Sequence, residues 1–464
     1  MPYNELQAAL AIAKLQRENR ELREQLRQAA ERADQLGDEN RQLQARLEEL
    51  EREAARQAAP FRRRQRKKVD PAKKKRPGRK AGHAGSFRAV PDHVDQRINV
   101  PLEGCPKCGG PVQNRGPLTQ YIEEIQTVRP QVTRLVTWSA ECPLCGEVRS
   151  THPLQTSFGQ GAAMVQLGPR ALALAATLNK KLGLTMRKTC SVLKQLCGLS
   201  ITPGGLSQSL TRVAGKVEAE YGQLREQIRS SEAVFADETS WWVGGPGWWL
   251  WVFTTRQGTT FYRVDESRGS QVVRDVLGDE FSGILVSDCL ASYDPADYRK
   301  HKCIAHHLQA ISKARERPDT KDLSYLDDWK TLFGQVIALY HERDQISAAQ
   351  FLQQKSELSE WADRLLQRPC TQPGDVAVQN RLLKQRAHLL GCLDDTAAEP
   401  TNNRAERALR PAVIARKLSC GNKTDSGRQC WQILVSLAAT CEQLSMDFVD
   451  FLAARLPLAI PADK

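Results

Sequence analysis

The chain has 464 residues and a formal net charge of +13, and this length accommodates about three domains with at least one large hydrophobic core. No apolar run is long enough to span a bilayer and the N-terminus lacks the pattern of a signal peptide, so we expect no membrane association. Thirteen cysteines without such a signal are typical of a reducing, cytoplasmic environment, where paired cysteines more often bind metal than form disulfides. The positive charge favours a polyanionic partner.

Residues 1–59 carry a heptad repeat. Leucine or alanine recurs every seven residues, at Leu15, Leu22, Ala29, Leu36, Leu43 and Leu50. The complementary positions are Ile12, Asn19, Leu26, Ala33, Asn40 and Leu47. Apolar side chains at this spacing predict a leucine-zipper coiled coil, and the two asparagines favour a parallel pair because each can hydrogen-bond to its twin. Composition alone also permits a single solvated helix, but the sustained repeat predicts a homodimer or a larger assembly.

Residues 60–95 form a basic arm. The stretch 61–80 contains twelve Lys or Arg residues and one Asp, which favours binding to a nucleic-acid backbone. The predicted DNA contacts in this arm are Arg62, Arg63, Arg64, Lys67, Lys68, Lys74, Lys75, Arg76, Arg79 and Lys80. The segment KKRPGRKAGHAG resembles an AT-hook, which lies in a narrow A·T minor groove. A disordered arm that contacts only the DNA backbone fits the same composition.

Region 96–155 contains two matching cysteine motifs. They are CPKCGG, with Cys105 and Cys108, and CPLCGE, with Cys142 and Cys145. Two thiolates on a tight turn closed by glycine can face one ion, and two such turns complete a tetrahedral site. Four cysteines leave no open coordination position, so the pattern predicts a zinc-ribbon domain with one structural Zn²⁺. Zinc allows such a small module to fold without a large core.

Residues 156–231 have a helical pattern. A short helix, a glycine turn at 197–199 and a second helix that starts near Thr202 are typical of a helix-turn-helix that binds DNA. A helical linker fits the same residues equally well, so both interpretations remain open for this segment.

From residue 232 the pattern changes to strands. The segments EAVFADETSWWV, WWLWVFTT and GTTFYRVDES predict an antiparallel meander. The helix SRGSQVVRDVLG, the buried strand GILVSDCLASYD, and a short strand leading into the helix KCIAHHLQAISKA follow. The order β-β-β-α-β-α predicts an α/β ribonuclease-H-like catalytic core, divided between residues 232–316 and 399–464. Residues 317–398 are too many for a loop and predict an all-helical insertion.

Two acids fall at strand ends of this predicted core. Asp237 lies in the first strand and Asp288 ends the fourth, which we expect to be its neighbour in the sheet. Phosphodiester hydrolysis by two Mg²⁺ ions, or two Mn²⁺ ions, about 4 Å apart requires a carboxylate that bridges them. Strand alternation from Phe235 places the competing Glu238 on the opposite face. The alternative roles are structural: a turn residue for Asp237 and a helix cap for Asp288.

The segment PTNNRAERALRP places Glu406 among Arg404, Arg407 and Arg410. An isolated acid in this setting is usually the partner of a surface salt bridge along the helix. The competing hypothesis is that Glu406 completes the metal site begun by the two strand-end acids. Asn402 or the residue after it can cap the helix that starts there.

Taken in order, these motifs resemble the large transposase subunit of the bacterial insertion sequence 66 family, a group of DDE transposases. The resemblance extends over more than 400 residues and includes FADET, GILVSDCLASYD, HKCIAHHLQAISKA and TNNRAERALRPAVIARKLSCGN. It implies that Asp237, Asp288 and Glu406 are the catalytic acids and bind Mg²⁺. It also implies that Arg404, Arg407, Arg410 and Lys417 contact DNA phosphates.

The family also carries a Cys-x-x-His motif, which Cys303 and His306 match. We interpret this pair as structural support near the active site. A zinc site here would need two further ligands, for which His301 and His307 are nearby candidates.

The resemblance implies recognition of the terminal inverted repeats of a mobile element. Water then attacks the phosphodiester to free a 3′-OH, which is joined to target DNA without a covalent enzyme intermediate. Small accessory proteins of the same element are further expected partners, and the expected location is the bacterial nucleoid. Two alternatives are a catalytically silent DNA-binding protein derived from a transposase and a ribonuclease-H-like nuclease specific for DNA structure.

Overall fold

The structure is a computed structural model that describes residues 88–156 except 114, 115 and 117, residues 165–294 and 297–457, and part of residues 14–43. The chain divides into two compact units, Met1–Ile122 and Glu123–Lys464. In the first unit, the described residues between 14 and 43 are helical. The AT-hook-like segment and the predicted DNA contacts at 62–80 lie outside the described residues.

The second unit begins with a hairpin in which β1 (Ser139–Cys142) pairs antiparallel with β2 (Gly146–Arg149). A group of helices follows, and a π-helical turn, Thr177–Lys181, extends the first of them. These helices are α1 (Pro169–Ala176), α2 (Met186–Cys197), α3 (Pro203–Lys216) and α4 (Glu218–Arg229).

Helices α2 and α3 and the glycine turn between them lie where the sequence pattern indicates. Helix α2 ends at Gly198, whose φ of 67° is in the left-handed region that glycine adopts without strain. Thr202 caps α3, because its hydroxyl oxygen accepts the backbone N–H of Gly205 at 3.1 Å. The buried side chains of α3, including Leu206 and Leu210, belong to a core shared with the central sheet. This helix pair is therefore packed into the main body of the second unit.

The centre of the second unit is a five-stranded mixed sheet with strand order β5-β4-β3-β6-β7. Strands β3, β4 and β5 form the antiparallel meander, β6 is parallel to β3, and β7 is parallel to β6. Helix α5 connects β5 to β6. The bounds are β3 (Ala233–Trp241), β4 (Trp248–Thr254), β5 (Thr260–Asp265), α5 (Ser270–Leu277), β6 (Ile284–Ser287) and β7 (Arg299–Lys302). The predicted element order is present, and the short fifth strand precedes Cys303.

Alternating side chains of the strands supply two hydrophobic cores, one on each face of the sheet. Phe235 and Val286 lie in the core of the first face, and Val234 and Leu285 lie in the core of the second. The remaining helices are α6 (Ile304–Arg315), α7 (Ser324–Glu342), α8 (Ala348–Gln367), α9 (Pro373–Lys384), α10 (Gly391–Asp394), α11 (Asn403–Ser419), α12 (Asp425–Gln443) and α13 (Phe448–Ala453). A mixed sheet covered by helices on both faces is consistent with a ribonuclease-H-like core.

Residues 317–398 contain helices and no strand, and they pack on the first face of the sheet. Trp329 and Phe333 of α7, Leu365 of α8 and Leu382 of α9 belong to the same core as Phe235. Burial of large side chains against the sheet stabilises this segment. The helical segment therefore adds a layer to the first face and shares its core.

Helix α12 covers the edge strand β5 on the second face. Three backbone amides of β5 donate hydrogen bonds to α12 side chains spaced four residues apart: Thr260 to Thr440 at 3.0 Å, Tyr262 to Ser436 at 2.9 Å and Val264 to Gln432 at 3.1 Å. An edge strand normally presents such groups to solvent or to another chain. In this fold α12 satisfies them, and the edge is closed.

Candidate active site

Parallel pairing of β3 with β6 brings the first two predicted acids together. Phe235 is the register partner of Val286, and two further residues along each strand lead to Asp237 and Asp288. The Asp288 carboxylate accepts the backbone N–H of Leu290 at 2.8 Å, which fixes its orientation just beyond the strand. The two acids therefore lie level with each other on neighbouring strands. Asp288 follows the end of β6, whereas Asp237 lies within β3, which continues to Trp241, so the expectation that Asp237 ends a strand is wrong.

The Asp237 carboxyl group lies in an environment that disfavours its negative charge. Burial, followed by the nearby carboxylates Glu238, Asp288 and Glu406, raises its pKa to about 7. A divalent cation placed among these acids would reverse that effect, because it favours the ionised form of each ligand. The carboxylate oxygens available here are the hard ligands that Mg²⁺ prefers, so these residues fit a Mg²⁺ site.

Helix α11 carries the third predicted acid, Glu406, in its first turn. The helix begins after Asn402, whose side chain does not cap it. That buried side chain instead donates from Nδ2 to the carbonyl oxygen of Ala236 at 2.7 Å, one residue before Asp237. Farther along α11, Arg416 donates to the Thr239 hydroxyl at 3.1 Å. These two contacts fix the helix of the third acid to the strand of the first acid.

The charged partner of Glu406 differs from the one that its neighbours in sequence suggest. Its Oε1 lies 3.8 Å from Nε2 of His306, and this is the ion pair of Glu406 within the described residues. Arg404 pairs with Glu399 instead, at 2.6 Å. The salt bridge to an arginine of its own helix, considered from the sequence, is therefore absent from the described part of the chain.

The predicted DNA contacts on α11 divide into two groups. Arg404 is partly buried, pairs with Glu399 and lies over the ring of Phe235. The side chains of Arg407, Arg410 and Lys417 are exposed. Those three residues present positive charge to solvent along the helix that carries Glu406.

Cys303, His306 and Glu406 converge in space. One potential ligand atom of each lies within 4.8 Å of the others, and within the described residues they form the one such group of three. The side chain of Cys303, and then the negative charges of Asp288 and Glu406, raise the pKa of His306 to about 9. The three predicted catalytic acids are less tightly grouped than this.

His301 and His307, which the sequence suggested as further zinc ligands, lie outside this group. Nε2 of His301 is 3.1 Å from the carbonyl oxygen of Pro400, and burial lowers the pKa of His301 to about 4. Nε2 of His307 is 3.7 Å from Sγ of Cys289, and burial lowers the pKa of His307 to about 3. Both rings therefore belong to the packing around the site, and the third residue grouped with Cys303 and His306 is Glu406.

Glu238 lies on the second face of β3, where the sequence placed it, and two residues hold it there. Arg268 donates from Nη2 at 2.8 Å, and the Tyr293 hydroxyl donates at 2.8 Å. The guanidinium of Arg268 also lies 4.3 Å from the ring centroid of Trp249. Sequence reasoning identified neither Arg268 nor Tyr293, although Tyr293 lies in the SDCLASYD motif. They link the strand of Asp237 to the loop after Asp288.

The first cysteine motif forms a tight turn. The amide of Cys105 donates to the Gly110 carbonyl at 2.9 Å, and the amide of Gly109 donates back to the Cys105 carbonyl at 2.8 Å. Gly109 has a φ of 73°, which glycine adopts readily. The backbone N–H groups of Lys107 and Cys108 lower the pKa of Cys105. This turn therefore favours the thiolate, which is the form that binds Zn²⁺.

The second cysteine motif forms the turn between β1 and β2. Cys142 and Gly146 are register partners, and Gly146 has a φ of 74°. The backbone N–H groups of Leu144 and Cys145 lower the pKa of Cys142. This turn thus has the same sulfur-directed amides as the first.

Comparison with known proteins identifies a family that this chain resembles and one curated relative. The family model described as Transposase IS66 family matches residues 164–430, more than half of the chain. The uncharacterized protein y4qI of Sinorhizobium fredii (strain NBRC 101917 / NGR234) is 25% identical over 298 residues, covering 56% of this chain and 53% of that protein. The chain thus spans about half the length of this curated relative.

The family match includes Asp237, Asp288 and Glu406 and the helical segment between Asp288 and Glu406. Among the described residues, no helix combines the length and apolar character that a membrane span requires. The arrangement of acids around a mixed sheet and the extent of the sequence match agree, and the chain belongs to the IS66 transposase family.

Proposed function

We propose that this protein is a DDE transposase that binds the terminal inverted repeats of its element, hydrolyses the phosphodiester at each end and joins the resulting 3′-OH to target DNA. The observation that carries the proposal is the level placement of Asp237 and Asp288 on parallel strands. A second contact supports it, because Asn402 fixes the helix of Glu406 to the same strand. These two observations support a single site built from three acids that come from separate parts of the chain.

In this proposal Asp237, Asp288 and Glu406 hold Mg²⁺ or Mn²⁺. When bound, such ions activate the attacking oxygen and stabilise the leaving oxygen. Asp237 is our candidate for the bridging carboxylate, because it is close enough to both other acids that each raises its pKa. Arg416 and Asn402 keep the third acid at a fixed position relative to β3.

The exposed side chains of Arg407, Arg410 and Lys417 would contact the phosphates of the DNA at this site. The basic arm at 62–80 would supply further backbone contacts. The two cysteine turns would bind one structural Zn²⁺, as the amides directed at Cys105 and Cys142 favour their thiolates.

A dimer through residues 1–59 would supply the two protomers that pair two element ends. In the described part of this segment, the heptad leucines Leu22, Leu26, Leu36 and Leu43 are exposed on the single chain. Exposed leucines at heptad spacing favour a partner helix. We place the protein in the cytoplasm at the nucleoid, together with any small accessory proteins of the same element.

The test of this function is cleavage of labelled DNA that carries the ends of the element, with Mg²⁺ and the full-length protein. Asp237→Ala, Asp288→Ala and Glu406→Ala should each reduce cleavage by about 10³-fold or more while DNA binding is retained. Glu360→Ala, an exposed acid on α8, is the matched control and should cleave like the wild type.

Normal cleavage by all three acid variants would refute the metal-triad assignment. Binding of the ends without cleavage by the wild-type protein would favour a silent DNA-binding protein. Cleavage of branched DNA in preference to the element ends would favour a structure-specific nuclease. Retention of full zinc content by the Cys105→Ser, Cys142→Ser variant would refute the zinc ribbon, and a monomeric full-length protein in sedimentation would refute the zipper.

A further inference from the structure

Cys303, His306 and Glu406 come from two helix N-termini that are bound to each other. Cys303 is the residue before α6, and His306 lies in the first turn of that helix. The amide of Ile304 donates to the Pro400 carbonyl at 3.0 Å, so the start of α6 is joined to the segment that precedes α11. A backbone hydrogen bond thus links the two helix starts that carry the three side chains.

The sulfur of Cys303 is buried and oriented. It accepts the backbone N–H of Asn402 at 3.1 Å, a contact of the kind that orients and stabilises a metal-bound thiolate. The same residue uses its side chain to bind β3 at Ala236. Asn402 therefore fixes both the sulfur and the strand of Asp237.

His306 has ligand capacity that the fold leaves unused. Its Nε2 is 3.8 Å from Oε1 of Glu406, beyond the usual hydrogen-bond distance, so this nitrogen is placed to bind an ion together with that carboxylate. Its Nδ1 is buried and has no hydrogen-bond partner within the described residues.

The spacing of the three side chains fits one ion. In a tetrahedral zinc site with Zn–S and Zn–N distances of about 2.3 and 2.1 Å, the ligand atoms lie about 3.3–3.7 Å apart. The 3.8 Å between His306 and Glu406 is close to that range, and all three ligand atoms lie within 4.8 Å. Small side-chain movements suffice to close the site.

We propose that Cys303, His306 and Glu406 bind one thiophilic divalent cation of the Zn²⁺ class and leave its fourth coordination position open. Sulfur and nitrogen ligands select such ions over Mg²⁺, which requires oxygen ligands. The binding depends on the positions of three side chains and not on the proposed cleavage reaction. A carboxylate has two oxygens, so Glu406 can serve this ion and still face the ions held by the strand-end acids.

The experiment is a Co²⁺ titration of the full-length, metal-depleted protein under reducing conditions, followed by its sulfur-to-cobalt charge-transfer band and by elemental analysis. Cys303→Ser should lose about one Co²⁺ equivalent per chain together with part of the charge-transfer band. His306→Gln and Glu406→Gln should lose the same equivalent. Cys430→Ser removes another buried cysteine and should bind like the wild type.

One further variant and a measurement of folding make the result decisive. Cys105→Ser affects only the zinc-ribbon motif, so its loss should add to that of Cys303→Ser. Circular dichroism of each variant in chelator verifies folding, and His306→Gln at a partly exposed position tests the site if Cys303→Ser does not fold. Wild-type Co²⁺ content in both folded Cys303→Ser and His306→Gln would overturn the proposal. Loss in Glu406→Gln alone would overturn it too, because carboxylates would then hold the ion without sulfur.

Discussion

Asp237 and Glu238 are adjacent in sequence but lie on opposite faces of β3, and their surroundings differ. On the first face, Asp237 meets two other carboxylates, and the nearby histidine pairs with Glu406. On the second face, Glu238 is held by Arg268 and Tyr293. Within the described residues Asp237 has no cationic partner, whereas both carboxylate oxygens of Glu238 accept hydrogen bonds. Unbalanced negative charge on the first face is what a cation-binding site requires, and the bonded acid on the second face serves structure.

The largest expected effect comes from breaking the second-face cluster. Glu238→Ala leaves the Arg268 guanidinium and the Tyr293 hydroxyl without their acceptor, and it should lower the free energy of unfolding by about 3 kcal/mol. Glu238→Gln retains an acceptor and should cost about half as much. Urea denaturation at neutral pH measures both, and an unchanged midpoint for Glu238→Ala would contradict the structural role assigned to Glu238.

Urea denaturation of a variant at Asp237, on the first face, should show a gain in the free energy of unfolding instead of a loss. The folded-state pKa of Asp237 is raised to about 7, so the folded protein holds this proton more tightly than the unfolded chain. The contribution of Asp237 to stability is therefore fully present below about pH 4 and is lost as the pH rises through about 7.

Asp237→Asn removes the free-energy cost of ionising this side chain in the folded protein. In the absence of metal, the variant should be more stable than the wild type by about 2 kcal/mol at pH 7.5, and the difference should vanish near pH 4. Saturating Mg²⁺ should restore wild-type stability through binding to the native state. Equal denaturation midpoints for the two proteins at both pH values would be incompatible with a raised pKa of Asp237 in the folded state.

The link between α11 and the first face should have a smaller effect on stability. Asn402→Ala leaves the Ala236 carbonyl without its donor and should cost about 1–2 kcal/mol. DNA cleavage should fall by about tenfold more than DNA binding, because Glu406 loses its fixed position. Asn403→Ala changes an exposed neighbour and is the matched control for both assays. Equal loss in the two variants would show that this contact does not position the acid.

The smallest expected effect concerns DNA affinity on the two faces. Arg407→Ala and Arg410→Ala should each reduce the slope of log affinity against log salt by about 1. Arg225→Ala on α4, which packs on the second face, should leave that slope unchanged. Filter binding over a salt series provides the slopes. A reduction for Arg225→Ala equal to that for Arg407→Ala would place DNA contacts on both faces.

The sequence predicts that Asp237 and Asp288 lie on neighbouring strands because each follows an apolar segment. In VFADET and ILVSD, runs of buried residues predict strands, and the acid comes directly after them. Alternation along β3 also assigns Asp237 and Glu238 to different faces correctly. These are local patterns, and hydrophobic periodicity is sufficient to find them.

Hydrophobic periodicity does not predict the burial of strand β7. Its sequence is Arg-Lys-His-Lys, yet Lys302 is fully buried. The fold allows this because Lys302 pairs with Asp294 at 3.1 Å and donates to the Ser287 hydroxyl at 3.3 Å. A buried charge is tolerated when it is paired and hydrogen-bonded, but neither partner is evident from the strand itself.

The partner of Glu406 is missed for a related reason. The three nearby arginines predict a local salt bridge, while the structure provides His306 from a helix that begins far earlier in the chain. Asn402 likewise suggests a helix cap and instead bonds to β3. Contacts between distant segments depend on tertiary packing, so spacing along one helix does not reveal them.

Closure of the β5 edge by α12 has a consequence for shortened copies of this protein. A chain that ended before Asp425 would still contain Asp237, Asp288 and Glu406. It would, however, expose three backbone amides and the apolar side chains beneath α12, which together form a surface for strand addition by a second chain. Such a product would self-associate into aggregates. Helix α12 therefore protects the edge of the central sheet from pairing with a second chain.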